Sequence, residues 1–193
     1  QIEVKKACSD WNRFPASIYT AISYLLSPGF TYELSALTGC NLYPDYGLHG
    51  GGLHCHKRGG KLNTHLDYSI HPKLNLQRKL NIIIYVTKDW NPEWGGGLGL
   101  WTHDEETNGP KDLVKSVDCI FNRAVIFDTT QNSWHGLPKE ITCPEGVSRN
   151  SLAVYYTTDV PEGVDPRGKA LFAPSEDQIG DQQVLDLIKK RAD

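Results

Sequence analysis

The segment KLNTHLDYSI places His65 and Asp67 two residues apart. In an extended strand, side chains at i and i+2 leave the same face, so this imidazole and this carboxylate would point together across roughly 7 Å of backbone. That spacing suits two ligands of one cation. A His and an Asp sharing a solvated face is nonetheless the commoner arrangement, so the pair alone decides nothing. Two residues farther along the chain bear on it: His135 follows the apolar run of RAVIFDTTQNSWHGLPK, and Arg149 opens RNSLAVYYTT. Two histidines and one carboxylate leave three cis positions of an octahedral iron open, enough for a chelating cosubstrate and O2. A structural zinc would need a fourth ligand. His54, His56, His71 and His103 are available, but none is comparably placed.

The elements that must position these groups can be read from periodicity. PASIYTAISYLLSPG carries Ile18, Ile22, Leu25 and Leu26 at helical spacing, with Pro15 near the start and Pro28-Gly29 as a stop. A second helix is expected near the end of the chain, where Val184, Leu185, Leu187 and Ile188 precede Lys189, Lys190 and Arg191 at the negative pole of the helix dipole. Between them KLNIIIYVT, SVDCIF, RAVIFD and NSLAVYYTT read as strands, with Asn122-Arg123 as a hairpin turn. DWNPEWGGGLGLW and HDEETNGPKD read as a loop, a short strand and another loop. The sum is a mainly β protein with flanking helices, a barrel or jelly roll.

A chain of 193 residues with 39% apolar content and a net charge of -3 fits one domain spanning residues 1–193. No apolar run approaches a membrane span, and no dense basic patch suggests nucleic acid, so neither a membrane nor a nucleic-acid partner is expected. Cys8, Cys40, Cys55, Cys119 and Cys143 are scattered and form no CxxC pair, as expected of reduced thiols in a cytoplasmic protein. There is no signal peptide. Methionine is absent even from position 1, which reads as a chain lacking its true start, with any upstream targeting segment out of view. Gly50-Gly51-Gly52 and Gly59-Gly60 read as turns rather than phosphate cradles, because no P-loop Lys and Ser follow.

The order His-x-Asp, then RKLNIIIYVTKDWNPEWGGGLGLW, then strand-His-Gly, then Arg before SLAVYY resembles the 2-oxoglutarate/Fe(II)-dependent oxygenases, in particular their prolyl 4-hydroxylase-like branch. The resemblance covers roughly residues 50–159. It implies a double-stranded β-helix of cupin-like jelly-roll form, with His65, Asp67 and His135 as iron ligands and catalytic residues. It also implies that Arg149 pairs with the distal carboxylate of 2-oxoglutarate, a role suited to a permanently charged bidentate donor. Tyr85 stands where a family tyrosine helps hold the same carboxylate. His56 stands where the family frequently has a tyrosine nine residues before the first ligand. Fe(II), 2-oxoglutarate and O2 are the implied cofactors and cosubstrates, with ascorbate as an optional reductant. The retained Asp67 favours hydroxylation over halogenation, in which a small residue replaces the carboxylate.

Two other classes stay open on the residues alone: a cupin-like or hydrolytic zinc enzyme, which leaves Arg149 without a role, and a binding module with a vestigial site. The substrate reading is a small molecule or a peptide: a prolyl residue, a free amino acid, a sugar or another metabolite. Oligomeric state is not legible. Trp90, Trp94, Trp101 and Trp134, with Tyr68 and His71, are expected near the mouth of the barrel, where aromatic faces would suit a proline ring or a sugar; any single Trp reads first as loop packing.

Overall fold

The structure is a computed structural model and describes residues 1–130 and 132–192. Along the chain come β1 (Glu3–Val4), β2 (Lys6–Cys8), α1 (Ala16–Leu25), α2 (Pro28–Thr38), β3 (Tyr43–Pro44), β4 (Gly52–His56), β5 (Lys61–Leu62) and β6 (His65–Leu66). They are followed by β7 (Gln77–Tyr85), β8 (Leu98–Asp104), β9 (Gly109–Val117), β10 (Ala124–Asp128), β11 (His135–Gly136), β12 (Arg149–Thr158), β13 (Leu171–Phe172) and α3 (Gln182–Ala192). Two antiparallel sheets form the jelly roll. One runs β10-β7-β12-β4-β2, with β3 also pairing β12, and the other runs β13-β6-β11-β8-β9.

Period-two alternation divides the labour of the larger sheet. On β12, Leu152, Val154 and Tyr156 face the helices, packing with Leu80 and Ile82 of β7 against Ile22, Leu25, Leu26 and Leu34. The intervening residues Arg149, Ser151, Ala153 and Tyr155 line a cavity on the other face, joined by His54 and His56 of β4 and by Asn81 and Ile83 of β7. A strand buried on both faces explains why RNSLAVYYTT reads as a nearly continuous apolar run.

Two expectations from the sequence are corrected and one is extended. The first helix ends at Leu25, before Pro28-Gly29, as expected, but helix resumes there. Ser27 caps a second helix by accepting a hydrogen bond from Phe30 N, Pro28 occupies the first turn where its missing N–H costs nothing, and Gly39 closes α2 with φ 66°. HDEETNGPKD is the tip of a long hairpin rather than a loop, because β8 and β9 pair from Leu98↔Val117 to Asp104↔Gly109. Asn122-Arg123 is a turn, with Asn122 at φ 62°, but it joins strands of different sheets, so no hairpin forms there; SVDCIF keeps only Ser116 and Val117 in a strand.

Candidate functional site

The two histidines meet because β6 and β11 are neighbours in the smaller sheet, with His135 directly opposite His65. Their ring centroids are 4.3 Å apart. Gly136 makes the pairing tight: a Cβ there would come within 2.9 Å of the Leu62 and Asn63 carbonyls. His65 stacks on Phe172 of β13, and His135 packs edge-on against Phe127 of β10.

Hydrogen bonding sets the tautomers. His65 Nδ1 lies 2.9 Å from Asn63 O, and His135 Nδ1 lies 2.8 Å from Ser133 O. A carbonyl can only accept, so each Nδ1 carries the proton and each Nε2 presents a lone pair. Both Nε2 atoms face Asp67, at 3.7 Å from Oδ1 for His65 and 3.7 Å from Oδ2 for His135. One ligand atom from each of His65, Asp67 and His135 can be chosen so that all lie within 4.8 Å of one another, and all three residues are buried. Asp67 lies just past the end of β6, not within a longer strand as its i+2 spacing suggests. Asp67 Oδ2 makes no well-formed hydrogen bond, although Arg78 Nη1 is 3.2 Å away. Burial alone would raise the Asp67 pKa, but Arg78 and then the two imidazoles hold it well below the usual carboxylate range. Burial and the neighbouring His65 push His135 down to about 4, so its contact with Asp67 is not an ion pair. Two imidazoles turned to the centre by their Nδ1 hydrogen bonds and an ionised carboxylate are a donor set that fits a divalent metal ion.

The same cavity, of about 350 Å³, holds Arg149 on its wall. Arg149 is 4% exposed and has no carboxylate within ion-pair distance among the described residues. Its Nε donates to Gly96 O at 2.9 Å and its Nη1 to Ser151 Oγ at 2.8 Å, while Nη2 makes no hydrogen bond to the described residues. His56, opposite Arg149 in the β4–β12 ladder, lines the cavity and brings Nδ1 to 3.5 Å from Arg149 Nη1, leaving Nε2 buried without a partner. Tyr85 lies beneath the guanidinium, with Arg149 Cζ 4.9 Å from its ring centroid; its hydroxyl is buried and unpartnered, and it does not line the cavity.

Burial, with Arg149 and Lys5 nearby, pushes His56 down to about 2 and His54 down to about 3. Folding thus keeps both imidazoles neutral, while the unfolded chain protonates them near their ordinary value of 6.5. The unfolded state binds more protons below that value, so stability is full above about pH 6.5 and falls with acidification, by up to about 1.4 kcal/mol per pH unit for each histidine. The expected result is a metal-free melting temperature that drops from pH 7.5 to pH 5, with a shallower slope in His56→Gln. An identical slope in that variant would show that His56 is not held neutral.

The structure also reports where the remaining candidates lie. Trp90 and Trp94 pack edge-on against each other in a cluster with Tyr85, Cys119, Ile141 and Cys143. Trp134 and Trp101 pack with Leu66 and Ala173, and Trp134 Nε1 donates to His103 Nδ1. None of the four lines the cavity, so the mouth-facing placement is corrected: their large apolar areas go into packing within these two clusters. Tyr68 does line it, whereas His71 is buried behind it, its Nε2 3.5 Å from Asp45 Oδ2. Sequence reasoning missed Ser151, whose alternation with Arg149 along β12 is a readable signal, and Arg78, which simple alternation along β7 would place on the opposite face.

Fold and site together define a jelly-roll protein with two histidines and one carboxylate, placed to hold a metal ion, between its sheets. Residues 51–157 match the family described as the 2OG-Fe(II) oxygenase superfamily, and the chain belongs to that family. Fe(II), 2-oxoglutarate and O2 are the cofactors and cosubstrates that membership implies. The chain is similar to Prolyl 3-hydroxylase OGFOD1 of Mus musculus, 30% identical over 79 residues, a match covering 41% of this chain and 14% of that protein. Among solved structures, a Pseudomonas putida prolyl-4-hydroxylase superposes with TM-score 0.53 at 16% identity, over 81% of this chain and 70% of that one. A prolyl 4-hydroxylase from Phytophthora capsici does so with TM-score 0.54 at 15% identity, over 97% and 57%. These two likenesses establish the jelly-roll fold. No helix among the described residues is long and apolar enough to cross a membrane.

Proposed function

We propose that this chain is a single 2-oxoglutarate- and Fe(II)-dependent hydroxylase unit acting on an unactivated C–H bond, with a prolyl residue as the first substrate to test and a free amino acid or other small metabolite as the next. The observation that carries this reading is Arg149: a buried guanidinium without an acidic partner among the described residues, on the wall of the cavity that holds His65, Asp67 and His135. A zinc hydrolase or a vestigial site would leave that charge buried to no purpose, and an uncompensated buried cation is costly. A dicarboxylate cosubstrate supplies the missing anion.

His65, Asp67 and His135 would hold the iron. Iron bound there supplies O2 activation coupled to decarboxylation of 2-oxoglutarate to succinate. The chain's own residues bind and orient. Gly96 O and Ser151 Oγ fix the Arg149 guanidinium, so its remaining N–H groups face the cavity as a preset fork for a carboxylate. Neutral His56, which lines the cavity, keeps Nε2 without a partner among the described residues, able to join that carboxylate without adding charge. Arg149, His65, Asp67 and His135 are all buried, which strengthens every such contact. The five cysteines are unpaired, which supports a reducing, cytoplasmic setting.

Anaerobic titration of the apoprotein with Fe(II) and then 2-oxoglutarate tests the reading. A weak visible charge-transfer band should form, then decay on admission of O2 with release of succinate. Metal binding with no band on adding the keto acid would overturn it.

A further inference from the structure

We propose that Arg78 is a positioning residue for the metal site: it holds the Asp67 carboxylate in the orientation that faces both imidazoles. The proposal rests on the metal-site reading above, but on residues that reading did not use.

The placement of Arg78 is built by a break in the sheet. In the β7–β12 ladder the pairing steps from Tyr156↔Leu80 to Thr157↔Arg78, omitting Lys79. Simple alternation would put Arg78 on the helix-facing side with Leu80 and Ile82. The irregularity turns it to the cavity face, as bulges do where a side chain must be re-aimed. There the guanidinium is 2% exposed and sandwiched between two aromatic rings, with Cζ 3.6 Å from the Tyr68 centroid and 3.5 Å from the Tyr155 centroid. Its Nη2 donates to His49 O at 2.6 Å, and a Cβ added to Gly50 would come within 3.2 Å of the same nitrogen. Rings on both faces and backbone at one end leave the planar group little freedom.

What Arg78 offers in that fixed pose is Nη1, 3.2 Å from Asp67 Oδ2. No other Lys or Arg lies within ion-pair distance of the Asp67 side chain among the described residues. Asp67 is secured twice: Arg167 Nη2 donates to its backbone carbonyl at 2.9 Å, and Arg78 sets the carboxylate. The two histidines are oriented by backbone carbonyls; the third donor is oriented by a clamped cation. Partners that orient metal ligands are worth 10–100-fold in metal affinity.

Titration of the full chain with Zn(II) against a chromophoric chelator tests this without turnover. Arg78→Met, which can still fill the space between the rings, should lower affinity by about 10–100-fold. In an Asp67→Ala background the same substitution should change affinity by no more than about twofold, because the residue acts through Asp67. Arg78→Lys should recover part of the loss. Tyr155→Leu, which removes one ring of the clamp, should bind more weakly than Tyr155→Phe, which keeps the ring and likewise lacks the hydroxyl near Asp67. These two variants decide the matter if Arg78→Met fails to fold. Affinity unchanged in Arg78→Met, binding no weaker in Tyr155→Leu than in Tyr155→Phe, or an equal loss with and without Asp67, would overturn the proposal. Zn(II) binding that does not depend on Asp67 at all would overturn the metal-site reading instead.

Discussion

Replacing Arg149 with alanine is expected to weaken 2-oxoglutarate binding to the Fe(II)-loaded protein by about 3–5 kcal/mol, the usual cost of removing one partner of a buried ion pair. That is roughly two to more than three orders of magnitude in Kd. The expectation follows from three features of the site. The guanidinium is buried, so its pairing with a carboxylate is little screened by solvent. It is already oriented by Gly96 O and Ser151 Oγ, so little ordering remains to be done when the ligand arrives. And no acidic side chain among the described residues competes for it. Arg149→Lys should recover only part of the affinity, because an ammonium cannot make the two parallel hydrogen bonds of the planar fork. Titration followed by the charge-transfer band or by calorimetry measures both variants. Affinity equal to the parent's in Arg149→Ala would remove this residue from the cosubstrate site.

The second large effect is at the metal-binding set. His135→Ala should abolish Fe(II)-dependent succinate formation while the far-UV circular dichroism stays that of the parent. The imidazole is neutral when folded, so its removal leaves a cavity but no unpaired charge. Asp67→Ala should abolish turnover as well, yet it is the harsher change. It strands Arg78, whose guanidinium is buried between Tyr68 and Tyr155, and a stranded buried charge costs about 3–5 kcal/mol. The expected pattern is therefore loss of activity in both variants, with the larger fall in melting temperature in Asp67→Ala. Succinate formation at the parent's rate in either variant would reject the triad.

Much of this protein is legible in its residues. The i, i+2 spacing of His65 and Asp67, the His-Gly after an apolar run and the Arg opening the last strong strand point to the family to which the chain belongs, because residue types and their order are local properties. The β-branched and aromatic runs identify the jelly roll's longest strands for the same reason, and helical spacing in Ile18, Ile22, Leu25 and Leu26 identifies α1. Boundaries are less complete: Pro28 follows the end of one helix and also starts the next, and only the Ser27 cap and the packing of Leu34 into the core reveal the second.

Other features depend on partners distant in the chain. Whether His65 and His135 meet depends on β6 and β11 lying side by side, 70 residues apart in sequence. The four tryptophans carry the same side chain whether they face a ligand or the protein's own apolar residues, and here tertiary packing decides for the latter. Arg78 is the sharpest case. Residue types and spacing determine that a metal could be bound here and by which side chains. A one-residue irregularity in the β7–β12 ladder, invisible to a period-two reading, determines which buried arginine faces Asp67. The physical reason is that side-chain direction in a strand inverts with every residue, so a single skipped pairing changes the face of everything beyond it, and only the assembled sheet shows where that skip falls.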